Sequence, residues 1–93
     1  MNVEIADFIE RAVATLKAAG AKEIYLFGSM ADGEASDVSD VDLAVSGLPP
    51  ERFYQAMSEA AEVLQRPLDL VDLDEDNLFT CYLKKKGKLR RVG

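Results

Sequence analysis

Two aspartates separated by one residue, Asp40 and Asp42, are the side chains of this sequence best suited to chemistry. In an extended strand, alternate residues project from one face. The two carboxylates would therefore stand together while Val41 and Leu43 anchor on the other side. Like charges that close repel unless something neutralises them, and a divalent cation does so. Magnesium takes oxygen ligands, commonly one or two carboxylates with water and substrate phosphates. The chain has no histidine, which removes imidazole acid–base catalysis and the usual zinc sites and leaves oxygen to bind any metal. Upstream, Gly28-Ser29 directly follows the run Ile24-Tyr25-Leu26-Phe27, with Ala31 and Gly33 just beyond. Small residues there let the backbone approach a bound group, and free N–H groups with the Ser29 hydroxyl could hold phosphate oxygens. Alone, a Gly-Ser pair after a strand is more often a plain turn.

Spacing by itself does not single out Asp40 and Asp42. Nine aspartates in 93 residues give roughly 0.85 Asp-x-Asp pairs by chance, and three occur: Asp40/Asp42, Asp72/Asp74 and Asp74/Asp76. The last two fall between a strand and a helix, where capping and the helix dipole account for them. No Asp-x-Asp-x-Asp-Gly run is present, so a calcium loop is not expected. Asp69 interrupts an apolar strand. It is either a third functional carboxylate or an outward-facing residue on a half-exposed sheet.

The elements that must position these residues are legible as periodicities. Ile5, Phe8, Ile9, Ala12, Val13 and Leu16 recur at helical spacing and predict a helix over 3–19, with Gly20 as its stop. A β-forming run predicts a strand over 22–28, followed by a polar turn region over 32–39. A second strand is expected over 40–46, with Val41, Leu43 and Val45 on one face. Pro49 and Pro50 should open a helix whose buried stripe is Phe53, Met57, Ala60, Ala61 and Leu64. A third strand is expected over 68–73 and a last helix over 77–86, capped by Asp76 and ended by Gly87, with a short edge strand over 89–92. The first two strands have no long helix between them. That order predicts an α+β domain with a small mixed β-sheet and helices packed on it, rather than a purely parallel sheet.

Composition bounds the function. The chain's 93 residues predict one small domain, residues 1–93, and 48% hydrophobic content predicts a packed core. The longest apolar run has four residues, far short of the ~20 that a membrane span needs. The sequence begins without a basic n-region and apolar h-region, so no signal peptide and a cytoplasmic setting are expected; the lone Cys81 fits a reducing compartment. Six of the eleven basic residues lie between Lys84 and Arg91, leaving five basic against seventeen acidic side chains in the first 83 residues. So acidic a body repels a nucleic-acid backbone, and general nucleic-acid binding is not expected. The basic tail reads either as a docking element for an acidic surface or as a solvated helix end with favourable dipole placement. So small a domain also leaves room for a homo-oligomer.

Taken jointly, the motifs are specific. Leu26-Phe27-Gly28-Ser29-Met30-Ala31-Asp32-Gly33, followed by Ser39-Asp40-Val41-Asp42-Leu43-Ala44-Val45, resembles the signature of the minimal nucleotidyltransferases of the DNA polymerase beta-like superfamily. The family pattern is Gly-Ser-x-Ala-Arg-Gly, a short loop, then Ser-Asp-x-Asp-Leu. Pro67-Leu68-Asp69-Leu70-Val71-Asp72-Leu73 is similar to the family's third-carboxylate segment, so the resemblance spans about residues 22–73.

The resemblance implies a nucleotidyltransferase fold in which Gly28 and Ser29 bind the triphosphate of ATP. Asp40 and Asp42 would bind nucleotide through two magnesium ions, and Asp69 would be the third carboxylate, touching the metal nearest the attacking hydroxyl and favouring its deprotonation. Asp72 is its competitor. It further implies an antitoxin paired with a HEPN-domain toxin, transferring AMP from ATP to a protein hydroxyl. Asp32 stands where the family pattern has arginine, a position where a cation would steady triphosphate charge and an aspartate repels it. That departure supports the alternative of a catalytically weak or inactive antitoxin that neutralises its partner by direct binding.

Overall fold

The computed structural model describes residues 3–27, 41–86 and 89–93. The first helix, α1, runs Val3–Ala18. Ile9, Ala12 and Leu16 are buried on its apolar stripe, with Phe8 and Val13 packed beside them. The stripe ends where sequence predicted. Gly20 takes φ +120°, its N–H donates to the Lys17 carbonyl at 3.0 Å, and the Ala21 N–H donates to the Leu16 carbonyl at 3.1 Å. This reciprocal pair satisfies the last helical carbonyls and needs a residue tolerant of the left-handed region.

The strands are β1 (Glu23–Phe27), β2 (Val41–Ser46), β3 (Leu68–Asp72) and β4 (Arg90–Arg91). They form one mixed sheet in the order β3-β2-β1-β4. β1 pairs antiparallel with β2 and with β4, whereas β2 and β3 run parallel. A parallel pair needs a crossover. Here it is a 3-10 turn at Pro50–Arg52 followed by α2, Phe53–Leu64. The prolines thus open the segment as expected, but the α-helix proper starts three residues later, because the chain first makes a tighter turn. The last helix, α3, covers Leu78–Lys86.

Strand alternation sorts the sheet into two faces. Ile24, Leu26, Val41, Leu43 and Val45 point to α1 and α2 and join Ala56, Ala60 and Leu64 in the main core. On the opposite face a smaller cluster of Phe27, Ala44, Leu73 and Leu83 receives α3. The basic tail is partly built into the fold. Val92 N–H donates to the Ile24 carbonyl at 2.9 Å, and the Arg91 guanidinium lies 3.6 Å from the Glu23 carboxylate.

The aspartates after β3 are not the helix caps that local sequence suggested. Asp74 reaches back to the end of β2: Ser46 Oγ donates to its Oδ1 at 3.0 Å and Gly47 N–H to its Oδ2 at 2.7 Å. Gly47 has φ +81°, and a Cβ there would stand 2.7 Å from the Lys22 side chain. Asn77, not Asp76, caps α3. Its Oδ1 accepts the Thr80 N–H at 2.9 Å, and its own N–H donates to Thr80 Oγ1 at 3.2 Å. The one-residue displacement follows from Thr80, which is buried and ties the turn together by donating to the Glu75 carbonyl at 2.6 Å.

Candidate functional site

Register decides which carboxylates meet. Asp42 on β2 is the pairing partner of Asp69 on β3, and on its other side it pairs with Phe27 of β1. Directly paired residues share a face, so both aspartates project from the α3 side of the sheet, away from the main core. Val41 and Leu43, flanking Asp42, are fully buried on the opposite side and fix its direction. Asp42 is half-buried and Asp69 exposed. The two line one open depression whose walls include Phe27, Val71, Met57 and Phe79.

Asp72, the competing third carboxylate, pairs with Val45 and so belongs to the other face. Its Oδ1 accepts the Asp74 N–H at 2.9 Å. Of the two candidates on β3, Asp69 is therefore the one beside Asp42. The remaining predicted site residues, Gly28, Ser29 and Asp40, lie outside the described residues, as does Asp32. Among the described residues no three His, Cys, Asp or Glu side chains gather into one metal-binding cluster; the described contribution is the Asp42–Asp69 pair. Two paired carboxylates at an open mouth suit a hard divalent cation, which binds through oxygen.

Two neighbours of the pair, and one buried cation elsewhere, escaped sequence reasoning. Phe79, half-exposed at the start of α3, stands edge-on to Phe27 with ring centroids 6.1 Å apart and an interplanar angle of 67°. Met57 was predicted for the core stripe of α2 but also borders the depression. Arg66, just ahead of β3, has Nε and Nη1 buried with no hydrogen-bond partner among the described residues, which is costly for guanidinium donors unless an anion satisfies them. Burial of Arg66 has no local sequence signal, whereas the Phe79 position is set by the cap at Asn77. No helix of the described residues is long and apolar enough to cross a membrane.

Comparison with known proteins places this geometry in context. The family model described as "Polymerase beta, Nucleotidyltransferase" matches residues 10–89. No curated protein matches the chain. Among solved structures, a chain in a crystal structure of a toxin–antitoxin with AMP-PNP is 26% identical at a TM-score of 0.71, over 88% of this chain and 70% of that one. A protein assigned as a minimal nucleotidyltransferase superposes over 100% of this chain and 96% of its own, with a TM-score of 0.71 at 19% identity. A chain in the complex of a tri-AMPylated Shewanella oneidensis HEPN toxin with an MNT antitoxin gives 0.68 at 22% identity, over 94% of this chain and 70% of that one.

Proposed function

The chain belongs to the polymerase beta nucleotidyltransferase family, and from that premise we propose that it transfers AMP from ATP to a hydroxyl of a partner protein, as the antitoxin of a HEPN/MNT toxin–antitoxin pair. The observation that carries the reading is the register pairing of Asp42 with Asp69 on the sheet face that α3 leaves partly open. The toxin–antitoxin assignment is supported by the similarity to a toxin–antitoxin chain crystallised with AMP-PNP.

In this reading Asp40, Asp42 and Asp69 hold magnesium, two ions by the family pattern, which when bound supplies positive charge against the phosphates. Gly28 and Ser29 hold the triphosphate through backbone N–H groups and the hydroxyl. Asp42, fixed by its buried strand neighbours, sets where the α-phosphate lies. The acceptor hydroxyl oxygen bonds to the α-phosphorus as the bond to the β-bridging oxygen breaks, and pyrophosphate leaves with that electron pair. The hydroxyl proton passes to a carboxylate oxygen of Asp69. The acceptor surface belongs to the partner protein, and the setting is cytoplasmic.

The test is co-expression with the toxin partner, followed by intact mass measurement. The expected outcome is a magnesium- and ATP-dependent gain of one or more AMP units on the partner, absent from the Asp40→Asn, Asp42→Asn double variant. Asp32 favours a second reading, neutralisation by contact alone. A double variant that still restrains the toxin, with no mass change in either protein, would establish that reading instead.

A further inference from the structure

We propose that the outer edge of β3 is the acceptor dock, where a basic, hydroxyl-bearing segment of the partner pairs in extended form as an added strand. The proposal rests on the nucleotidyltransferase reading only for what is transferred; the groove itself stands on geometry.

β3 lies at one end of the sheet, and no described strand pairs with its outer side. Val41 N–H donates to the Pro67 carbonyl at 3.1 Å and Leu73 N–H to the Val45 carbonyl at 2.8 Å. In a parallel ladder this alternation turns the odd residues of β3 toward β2 and the N–H and C=O groups of Leu68, Leu70 and Asp72 outward. Among the described residues, only the Asp72 carbonyl of this outward set is taken, by Glu75 N–H at 3.2 Å. An open row of this kind is a template for another strand.

The surface along that edge is shaped as a groove. The depression holding Asp42 and Asp69 shares Leu70, Val71 and Phe79 with a second depression that continues to Asp72, Glu75 and Tyr54. Every residue of β3 lines one or the other. Five residues of strand give a track of about 17 Å, enough for a short extended segment. Tyr54 and Phe79 are exposed on its flanks by 76% and 49%, offering aromatic contact to arginine or apolar side chains. The acids Asp69, Asp72 and Glu75 lie along the groove, and no lysine or arginine lines either depression among the described residues. A positively charged occupant is favoured. A side chain of the added strand in register with Asp69 would emerge on the same face as Asp42 and Asp69, which delivers its hydroxyl to the reacting centre.

The probe is a nine-residue peptide alternating arginine and valine about a central tyrosine, added to the full chain. Without ATP, hydrogen exchange should show new protection of the Leu70 amide, and an otherwise identical peptide with glutamate for arginine should bind more weakly. Leu70→Pro removes an outward N–H that no ladder bond uses, a position where edge strands tolerate proline. Leu70→Ala trims the same side chain and keeps that N–H. Peptide affinity should fall about tenfold or more in Leu70→Pro relative to Leu70→Ala, the equivalent of about 1.4 kcal/mol. Circular dichroism confirms that both remain folded. Equal affinity in the two variants, or no protection of the Leu70 amide at saturating peptide, overturns the dock. Protection and proline sensitivity without AMP transfer to the peptide would leave the dock standing and count against the nucleotidyltransferase reading.

Discussion

On the face covered by α1 and α2, Ile24, Val41, Leu43 and Val45 expose nothing to solvent, whereas on the other face Asp42, Tyr25 and Val71 remain partly open and Asp69 is exposed. The same strands supply both sets, one residue out of phase. Closing one face over its two central strands gives a small sheet its stability. The α3 face is covered by a nine-residue helix over a small cluster of buried residues, and it can leave a depression beside charged side chains. A chain of this size has too little interior to separate a scaffold layer from a working layer, so strand alternation does it within single strands.

That division can be broken from the closed side. Leu43→Ala, fully buried in the main core, should cost roughly 2–5 kcal/mol in urea unfolding, a large share of the total stability. A cost below about 1 kcal/mol would show that the α1/α2 face is not the seat of stability. From the open side, Asp42→Asn should lower AMP transfer about a hundredfold or more, ~2.7 kcal/mol in barrier, while the urea midpoint barely moves. Parallel loss of both would erase the distinction between the faces.

Two smaller effects sharpen its borders. Arg66→Met removes buried donors that have no partner among the described residues and should raise stability by about 1 kcal/mol in urea unfolding. A loss of stability instead would mean that the guanidinium is already satisfied. Arg91→Ala breaks an exposed ion pair with Glu23 and should change the unfolding free energy by less than about 0.5 kcal/mol; a larger loss would make β4 part of the stabilising face.

Local sequence carried the elements well because their signals are local. The α1 stripe ended at Gly20 as its spacing predicted, and Ile24 to Phe27 formed a strand. The mixed sheet followed from the order of elements, and the family resemblance agrees with the match over residues 10–89. What sequence left open was long-range. Asp69 and Asp72 look alike in a strand read alone, and only the pairing of β3 with β2 puts the first beside Asp42 and the second on the far side. Asp74 read as a helix-dipole acid because its true contacts, Ser46 and Gly47, are 28 and 27 residues away. Asp76 lost the cap to Asn77 because the cap also had to satisfy Thr80, a buried residue whose burial no local pattern announces. Of the candidate site, Asp42 and Asp69 can be located in the described residues, while Gly28, Ser29 and Asp40 cannot.

The grip of Asp74 on Ser46 and Gly47 has a consequence for the opposite end of the strands. Parallel neighbours can slide along each other, and a slip of one residue turns every side chain over. Here it would bring Leu68 or Leu70 next to Asp42 and drive Asp69 into the oily packing under α1 and α2. By pinning the exit of β3 to the exit of β2, a surface carboxylate works as the zero mark of a ruler, and the meeting of Asp42 with Asp69 is read off from it. The activity proposed for this protein is thus exposed to damage at a residue that lies outside the proposed site.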